Sequence, residues 1–270
     1  MQPTTLSDAE FAEVRDFAMR IAGISLNSSK KSLVVGRWGR RLEHHGFTSF
    51  RQYLDYLRND RSGGEVQICL DLLTTNETHF FREPEHFRFL GEEILPKFAA
   101  GNRLRIWSAA CSSGEEPYSI AMLLAAQLPH ANWDLLATDI SSRVLEAAAG
   151  GLYDASRARQ IPPDYLRRFC LKGTGPQAGK ILLDRELMQR VQFHRVNLNE
   201  PLPALGEFDV ILVRNVMIYF DTPTKSRIIE RILRQLRPGG HLLIGHCDTL
   251  QGVPHGLINI QASVYRKPGA

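Results

Sequence analysis

"RLRIWSAACSSGEEPYSIAMLLAAQL", Arg103 to Leu128, is the stretch on which the fold class turns. Its first seven residues, "RLRIWSA", read as a short apolar strand. "EEPYSIAMLLAAQL" reads as a helix, too long and too poor in β-branched residues for a second strand. Between them lie small residues and Gly114, which let the backbone turn tightly and approach a ligand closely. A strand, a small-residue loop and a helix form the opening unit of a wound α/β sheet.

The rhythm repeats downstream. "WDLLATDI" reads as a strand, and "SSRVLEAAA" as a helix capped by Ser141 or Ser142. "FDVILVRN" is a strand, and "TPTKSRIIERILRQLR" is a helix with Pro223 in its first turn. "HLLIGH" follows the turn at Pro238-Gly239-Gly240 as another strand. Short apolar strands alternating with helices predict a mostly parallel, doubly wound sheet over 104–270. "INIQASVYRK" alternates with a period of two and predicts an antiparallel edge strand. "RFCLKGTGPQAGKILLDRELMQRVQFHRV" breaks the pattern. It reads as short strands around a Gly-Pro turn, a β-hairpin insert at about 168–192. Within it, "KILLDREL" (Lys180 to Leu187) is the expected free edge, and Gly173 and Gly175 are expected to leave backbone uncovered for a peptide side chain.

Upstream, residues 1–73 read as helices only. "SDAE" (Ser7 to Glu10) is a capping box, followed by Phe11, Val14, Ala18 and Ile21 at helical spacing and a stop at Gly23. A second helix covers about Ser29 to His45. A third carries Phe50, Tyr53, Leu54 and Leu57 on one face, and a fourth runs from about Glu65 to Leu73. The second is basic: Lys30, Lys31, Arg37, Arg40 and Arg41 stand against Glu43 alone, either a solvated face or a docking surface for an acidic partner. Residues 74–103 form a linker and a first helix.

Composition narrows the function classes. The chain has 270 residues, 43% hydrophobic and 23% charged, an ordinary globular balance. A net charge of +4 does not by itself indicate nucleic acid. Apolar runs such as Ile120 to Leu128 fall short of the roughly 20 residues that span a bilayer, and the N-terminus lacks the pattern of a signal peptide. Four scattered cysteines without CxxC spacing read as free thiols of a reducing cytoplasm. No metal site is expected: His79 and His86 stand seven apart, with no third ligand at the usual spacing.

In an open α/β sheet the ligand lies beyond the carboxyl ends of the strands. There the chain places "SAACSSGEEPYS", Asp139 (25 positions after Gly114), Asn197-Leu198 and Arg214-Asn215. An acid at the second strand's end suits the two hydroxyls of a ribose. An amide beside an apolar side chain suits an adenine. Neither GxGxxG nor GxxxxGK[ST] is present, which disfavours dinucleotides and nucleoside triphosphates. Taken singly, each feature is as readily a tight turn or a helix cap; in order along one sheet they point to an adenosine ligand without phosphates, which S-adenosylmethionine satisfies.

"TTNETHFFRE" (Thr74 to Glu83), "IWSAACSSGEEPYSIAM", "ATDI", "GTGP", "VNL" and "VRNVMIYFD" together resemble the chemotaxis receptor methyltransferases, the CheR family, over nearly the whole chain. The resemblance implies a Rossmann-like class I methyltransferase sheet with a small all-helical N-terminal domain and a β-subdomain insert. It implies a protein-glutamate O-methyltransferase that methylates chemoreceptor glutamates from S-adenosylmethionine, leaving S-adenosylhomocysteine. The family's cofactor contacts fall on Asn76, Thr78, Arg82, Glu116 (or Glu115), Asp139, Asn197, Leu198, Arg214 and Asn215. Arg82 and Tyr219 take the catalytic places, with an interdomain ion pair as the alternative for Arg82 and a core tyrosine for Tyr219. In this reading the aromatics of "TTNETHFFRE" pin it to the sheet domain while Asn76, Thr78 and Arg82 face the cofactor. The basic helix then meets the cytoplasmic signalling region of the receptor, and the "GTGP" insert a receptor C-terminal peptide. A cytoplasmic monomer that binds neither nucleic acid nor membrane is expected. The rivals are a methyltransferase of RNA or a small molecule, and a non-catalytic S-adenosylmethionine-binding docking protein.

Overall fold

The computed structural model describes residues 5–74, 76–98 and 102–269, so Thr75 of "TTNETHFFRE" lies outside the described residues. The chain gathers into two compact units. One holds the N-terminal helices together with Tyr219–Thr224, and the other runs from Asn76 to Ile218 and from Lys225 onward.

The first unit is built by its caps. Helix α1 (Asp8–Ala22) starts at Ser7, whose hydroxyl accepts from the Glu10 N–H while Glu10 accepts from the Ser7 N–H at 2.9 Å. It stops at Gly23, which takes the left-handed φ of 71° that closes a helix. Helix α2 (Lys31–His45) follows a 3₁₀ turn (Ser28–Lys30) and ends at left-handed Gly46. Ser49 caps α3 (Phe50–Arg58), and α4 (Gly64–Leu73) completes the set. Phe50, Tyr53, Leu54 and Leu57 are all buried, as their spacing requires. Ile21 stays half-buried, and Phe17 fills the α1 face instead, edge-on to Trp38 at 6.1 Å. Buried Glu65 accepts from Arg41 at 2.6 Å and from the Tyr53 hydroxyl at 2.8 Å. Arg37 donates to the carbonyls of Leu72, Leu73 and Thr74, and Lys31 pairs with Asp8. The basic face of α2 is therefore largely committed to its own domain. Lys30 and Arg40 are its exposed cations without an ion pair among the described residues.

The second unit opens with α5 (Pro84–Phe89). It continues as β1 (Leu104–Ala109), α6 (Glu115–Gln127), β2 (Trp133–Asp139) and α7 (Ser142–Gly150), with Ser141 as the α7 cap. Then come β3 (Leu152–Asp154), α8 (Pro163–Phe169), β4 (Cys170–Lys172), β5 (Lys180–Leu183) and α9 (Arg185–Gln189). The chain closes with β6 (Val191–Arg195), β7 (Phe208–Val213), α10 (Thr222–Gln235, of which the part from Lys225 belongs to this unit), β8 (Leu236–Ile244), β9 (Ile258–Gln261) and β10 (Val264–Arg266). Seven strands form one sheet in the order β6-β2-β1-β7-β8-β10-β9. The first five run parallel, and β10 and β9 are antiparallel. Leu104, Ile106, Leu135, Val210 and Leu212 join the helices' apolar faces in the core.

Four expectations change. "INIQASVYRK" is a hairpin, not one edge strand, because Ser263 takes a left-handed φ of 61° and turns the chain between β9 and β10. The insert is a three-stranded antiparallel sheet, β3-β5-β4, that recruits Leu152–Asp154 from well before residue 168, and β6 belongs to the main sheet. Strand β5 pairs on both sides, with β3 and with β4, so Lys180 to Leu187 supplies no free edge. Nor is the Gly173 backbone uncovered, since a Cβ there would lie 2.0 Å from the Gln177 carbonyl oxygen.

Candidate functional site

Register brings the candidate residues to one edge of the sheet. Ala109 is level with Thr138 on β2 and with Val213 on β7, and Asp139 is level with Arg195 on β6. The loops after β1, β2, β6 and β7 therefore leave the sheet side by side. The Val196 N–H donates to the Asp139 carbonyl at 3.0 Å, which ties the approach to Asn197 and Leu198 to the end of β2.

The loop after β1 is held in an unusual path. Ala110 and Ser112 take left-handed φ values of 60° and 50°, a conformation few side chains adopt freely. The buried Asp139 carboxylate helps fix it by accepting from the Ser112 N–H at 2.8 Å, and it also accepts from the Ser141 N–H at 3.0 Å. Gly114 has a φ of 95°, and a Cβ there would lie 2.7 Å from the Ala148 Cβ, so α6 can start against α7 only through glycine. The Ser112 hydroxyl is buried with no hydrogen-bond partner among the described residues.

The "GEE" pair divides. Glu116 accepts from the Ser108 hydroxyl at 2.7 Å and pairs with Arg214 at 2.6 Å. Glu115 is fully buried, accepts from the Ser113 hydroxyl and pairs with Arg157 at 2.8 Å. Burial pushes its carboxyl above the usual range, against the pull of Ser113 and Arg157. Only Glu116 joins the other candidates directly.

Arg214 is the hub. Its buried guanidinium also meets Glu83 at 3.0 Å and donates to the Arg82 carbonyl. Glu83 accepts in addition from the Asn215 side-chain amide and the His246 N–H, both at 3.1 Å. Burial alone would raise the Glu83 carboxyl, but Arg214 and these donors outweigh it and hold it at about 2. Asp248 accepts three backbone N–H groups: Asn215 at 2.5 Å, Gly245 at 3.0 Å and Ile218 at 3.2 Å. It fixes Asn215 in its left-handed φ of 57°. A Cβ on Gly245 would come within 2.4 Å of the Asn215 amide nitrogen, so glycine alone admits this approach.

The linker stretch closes onto this edge. Phe80 is buried, edge-on to Tyr153 at 5.0 Å, and Phe81 packs on Phe87 and Tyr165. The Phe81 N–H donates to Ser119. These contacts anchor the segment through its aromatics. Arg82 is half-buried and donates to the Glu77 carbonyl at 2.7 Å, while the Thr78 carbonyl accepts from Arg157. Asn76 is half-buried, as is Asn197, whose amide donates to Glu200 at 2.9 Å; Leu198 is buried. Tyr219 stands in the first unit, where its carbonyl accepts from the Ser25 N–H.

Sequence reasoning missed Glu83, Ser112 and Asp248. Glu83 closes "TTNETHFFRE" and reads as a charge on a helix start. Asp248 follows "HLLIGH" just as Asp139 follows its strand, so a polar residue past a parallel strand was the available signal. The structure also gathers Glu83, His86 and His246, whose ligand-type atoms lie within 4.8 Å of one another. His79 is not among them.

These residues fit an S-adenosylmethionine-type group better than a phosphorylated one. Asp139 at the end of β2 and Glu116 at the start of α6 supply acidic oxygens, the buried Ser112 hydroxyl is unspent, and buried Arg214 is occupied by two carboxylates. Among the described residues, no helix is long and apolar enough to cross a membrane.

Comparison with known proteins agrees. The chain is 42% identical to chemotaxis protein methyltransferase 2 of Pseudomonas aeruginosa over 95% of its own length and 92% of that protein's. It is 41% identical to the chemotaxis protein methyltransferase of Escherichia coli, over 90% of this chain and 85% of that one. With the Salmonella typhimurium protein of the same name the identity is 40%, over 93% and 88%. The all-α domain of CheR methyltransferases matches residues 9–74 and the family's S-adenosylmethionine-binding domain residues 76–266, and the chain thus belongs to the CheR methyltransferase family.

Proposed function

We propose that this chain is a cytoplasmic protein-glutamate O-methyltransferase, esterifying glutamate side chains on the signalling region of chemoreceptors. Support comes chiefly from the two CheR domains matched in series along the chain. When bound, S-adenosylmethionine supplies an electrophilic methyl group on a sulfonium. The protein's task is then to bind, orient and exclude water. A receptor glutamate is already ionised at neutral pH, so no general base is needed, and alignment can contribute roughly 7–11 kcal/mol.

In this reading Asp139 accepts the ribose hydroxyls, and Asn197 and Leu198 meet the adenine. Asn76, Thr78, Glu116, Arg214 and Asn215 complete the cofactor contacts. Glu115 is left out, because its carboxylate is spent on Arg157 and Ser113. Arg82 orients a carboxylate through its planar fork, and Tyr219 offers a hydroxyl to the substrate. Lys30, just before α2, and Arg40, within it, make no ion pair among the described residues and carry the attraction to acidic receptor helices. A receptor tail would add to the insert at an outer strand, β4 or β3, rather than at β5, which is paired on both sides.

The test is incubation with labelled S-adenosylmethionine and receptor-bearing membranes of the host. Base-labile label on a receptor-sized band is the expected result. Label on RNA or a small molecule, with none on receptor, would reject the proposal.

A further inference from the structure

The residues Glu83, His86 and His246 are not used in the chemistry above except through the Glu83 carboxylate. They come from two places 163 positions apart in sequence, the start of α5 and the loop after β8. The His86 Nδ1 lies 3.4 Å from a Glu83 oxygen, and the two imidazole rings are 5.2 Å apart, inclined at 66°.

His86 is the independent sign of a missing ligand. It is 1% exposed, and neither of its ring nitrogens finds a hydrogen-bond partner among the described residues. A buried polar group left unpaired is destabilising, because it has given up water and gained no partner. An imidazole has one nitrogen lone pair to give when neutral, and here it faces a carboxylate and a second imidazole, the donor set that borderline transition metals take. The local charge agrees. Glu83 and Glu116 both pair with Arg214, and Asp248 feels the Glu83 charge, a surplus of acid that a divalent ion would offset. Hard cations such as magnesium are disfavoured by two imidazoles in a set of three.

We infer that Glu83, His86 and His246 form a binding site for a divalent transition metal of the zinc class, with three protein ligands and a fourth position open to solvent. Zinc bonds to nitrogen and carboxylate oxygen measure about 2.0–2.2 Å, so ligand atoms spread over 4.8 Å must draw in by roughly an ångström. Exposed His246 can supply that movement while buried His86 and half-buried Glu83 stay in place. The Glu83 oxygen that faces His86 also meets Arg214, and the other accepts from the Asn215 amide and the His246 N–H, so the ion would share a carboxylate oxygen with these donors. The ion would clip the start of α5 to the end of β8.

The test uses the full chain, stripped with chelator and dialysed against Zn²⁺, with Co²⁺ as the spectroscopic probe. The expected result is one equivalent of Zn²⁺ per chain and visible Co²⁺ bands of low-coordinate nitrogen and oxygen ligation, bleached by added Zn²⁺. His246→Gln, on an exposed side chain that the fold does not need, should weaken binding at least as much as the roughly 10–100-fold typical of losing an outer partner. His86→Gln should do the same, with a melting curve to show that it folds. Binding should survive Cys247→Ser, which removes the exposed neighbouring thiol. Absence of stoichiometric metal, binding that persists in His246→Gln, or binding lost with Cys247→Ser each overturns the inference.

Discussion

Replacing Glu83 with Gln should expose how much of the site rests on one carboxylate. The amide keeps the size and one acceptor oxygen for the Asn215 side chain and the His246 N–H, so the change isolates the charge facing Arg214. The Glu83 carboxyl is held at about 2 against an ordinary 4.5. At about 1.4 kcal/mol per unit this is roughly 3 kcal/mol of preference for the ionised form in the folded state. Its side chain is 11% exposed, so solvent screens little of that. Breaking a buried pair costs about 3–5 kcal/mol. The lower end applies because Arg214 keeps Glu116 and the Arg82 carbonyl. Glu83→Gln should therefore lose about 3 kcal/mol at pH 7, read by urea unfolding in the presence of chelator. The sign in acid follows from the depressed value. The native chain binds fewer protons here than the unfolded one, so the stabilisation is complete above about 4.5 and fades as pH falls towards 2. The gap between parent and variant should narrow from pH 5 to pH 3. A gap below about 1 kcal/mol at pH 7, or one that does not narrow in acid, would refute the reasoning.

Asp139→Ala should weaken S-adenosylhomocysteine binding by about 1.5–3 kcal/mol, since a charged acceptor is lost. Calorimetry that finds an unchanged dissociation constant in a folded variant removes the ribose role. Arg82→Ala should abolish receptor methylation while leaving the melting curve unchanged, because among the described residues the Arg82 side chain donates only to the Glu77 carbonyl; near-normal transfer by the variant ends its catalytic place. Arg40→Glu with Lys30→Glu should slow receptor methylation without altering cofactor affinity, and equal rates across a salt series would remove α2 from receptor docking. Arg41 is unsuitable for that test because its reversal would strand buried Glu65. Burial, with Lys97 and Arg266 nearby, lowers His241 to about 4. Its contribution is complete above about 6.5 and lost as pH falls through 4, so His241→Gln should flatten that part of the acid-stability profile.

Local chemistry was enough to write most of the fold from the sequence. The Ser7 capping box, Gly23, Ser49 and the apolar spacing of α3 set helix ends and faces within a few residues, and such signals act over one turn. Strands alternating with helices likewise set the parallel sheet, since a strand followed by a helix must return in the same direction. The polar strand ends at Asp139, Asn197 and Arg214-Asn215 were legible too, and the structure brings them to one edge of the sheet, because parallel strands end together. What tertiary structure alone decided were the partnerships between distant segments. Which strand of the insert is central depends on Leu152–Asp154 arriving beside β5, and nothing in "KILL" itself records that neighbour. Whether a cation is free depends on what folds against it: Arg41 and Arg37 are spent inside their own unit, whereas Arg40, on the same helix, is not. Glu83 became the counter-ion of Arg214, 131 positions away, and His86 met His246, because long-range contacts are chosen by packing and charge compensation once the sheet edge exists.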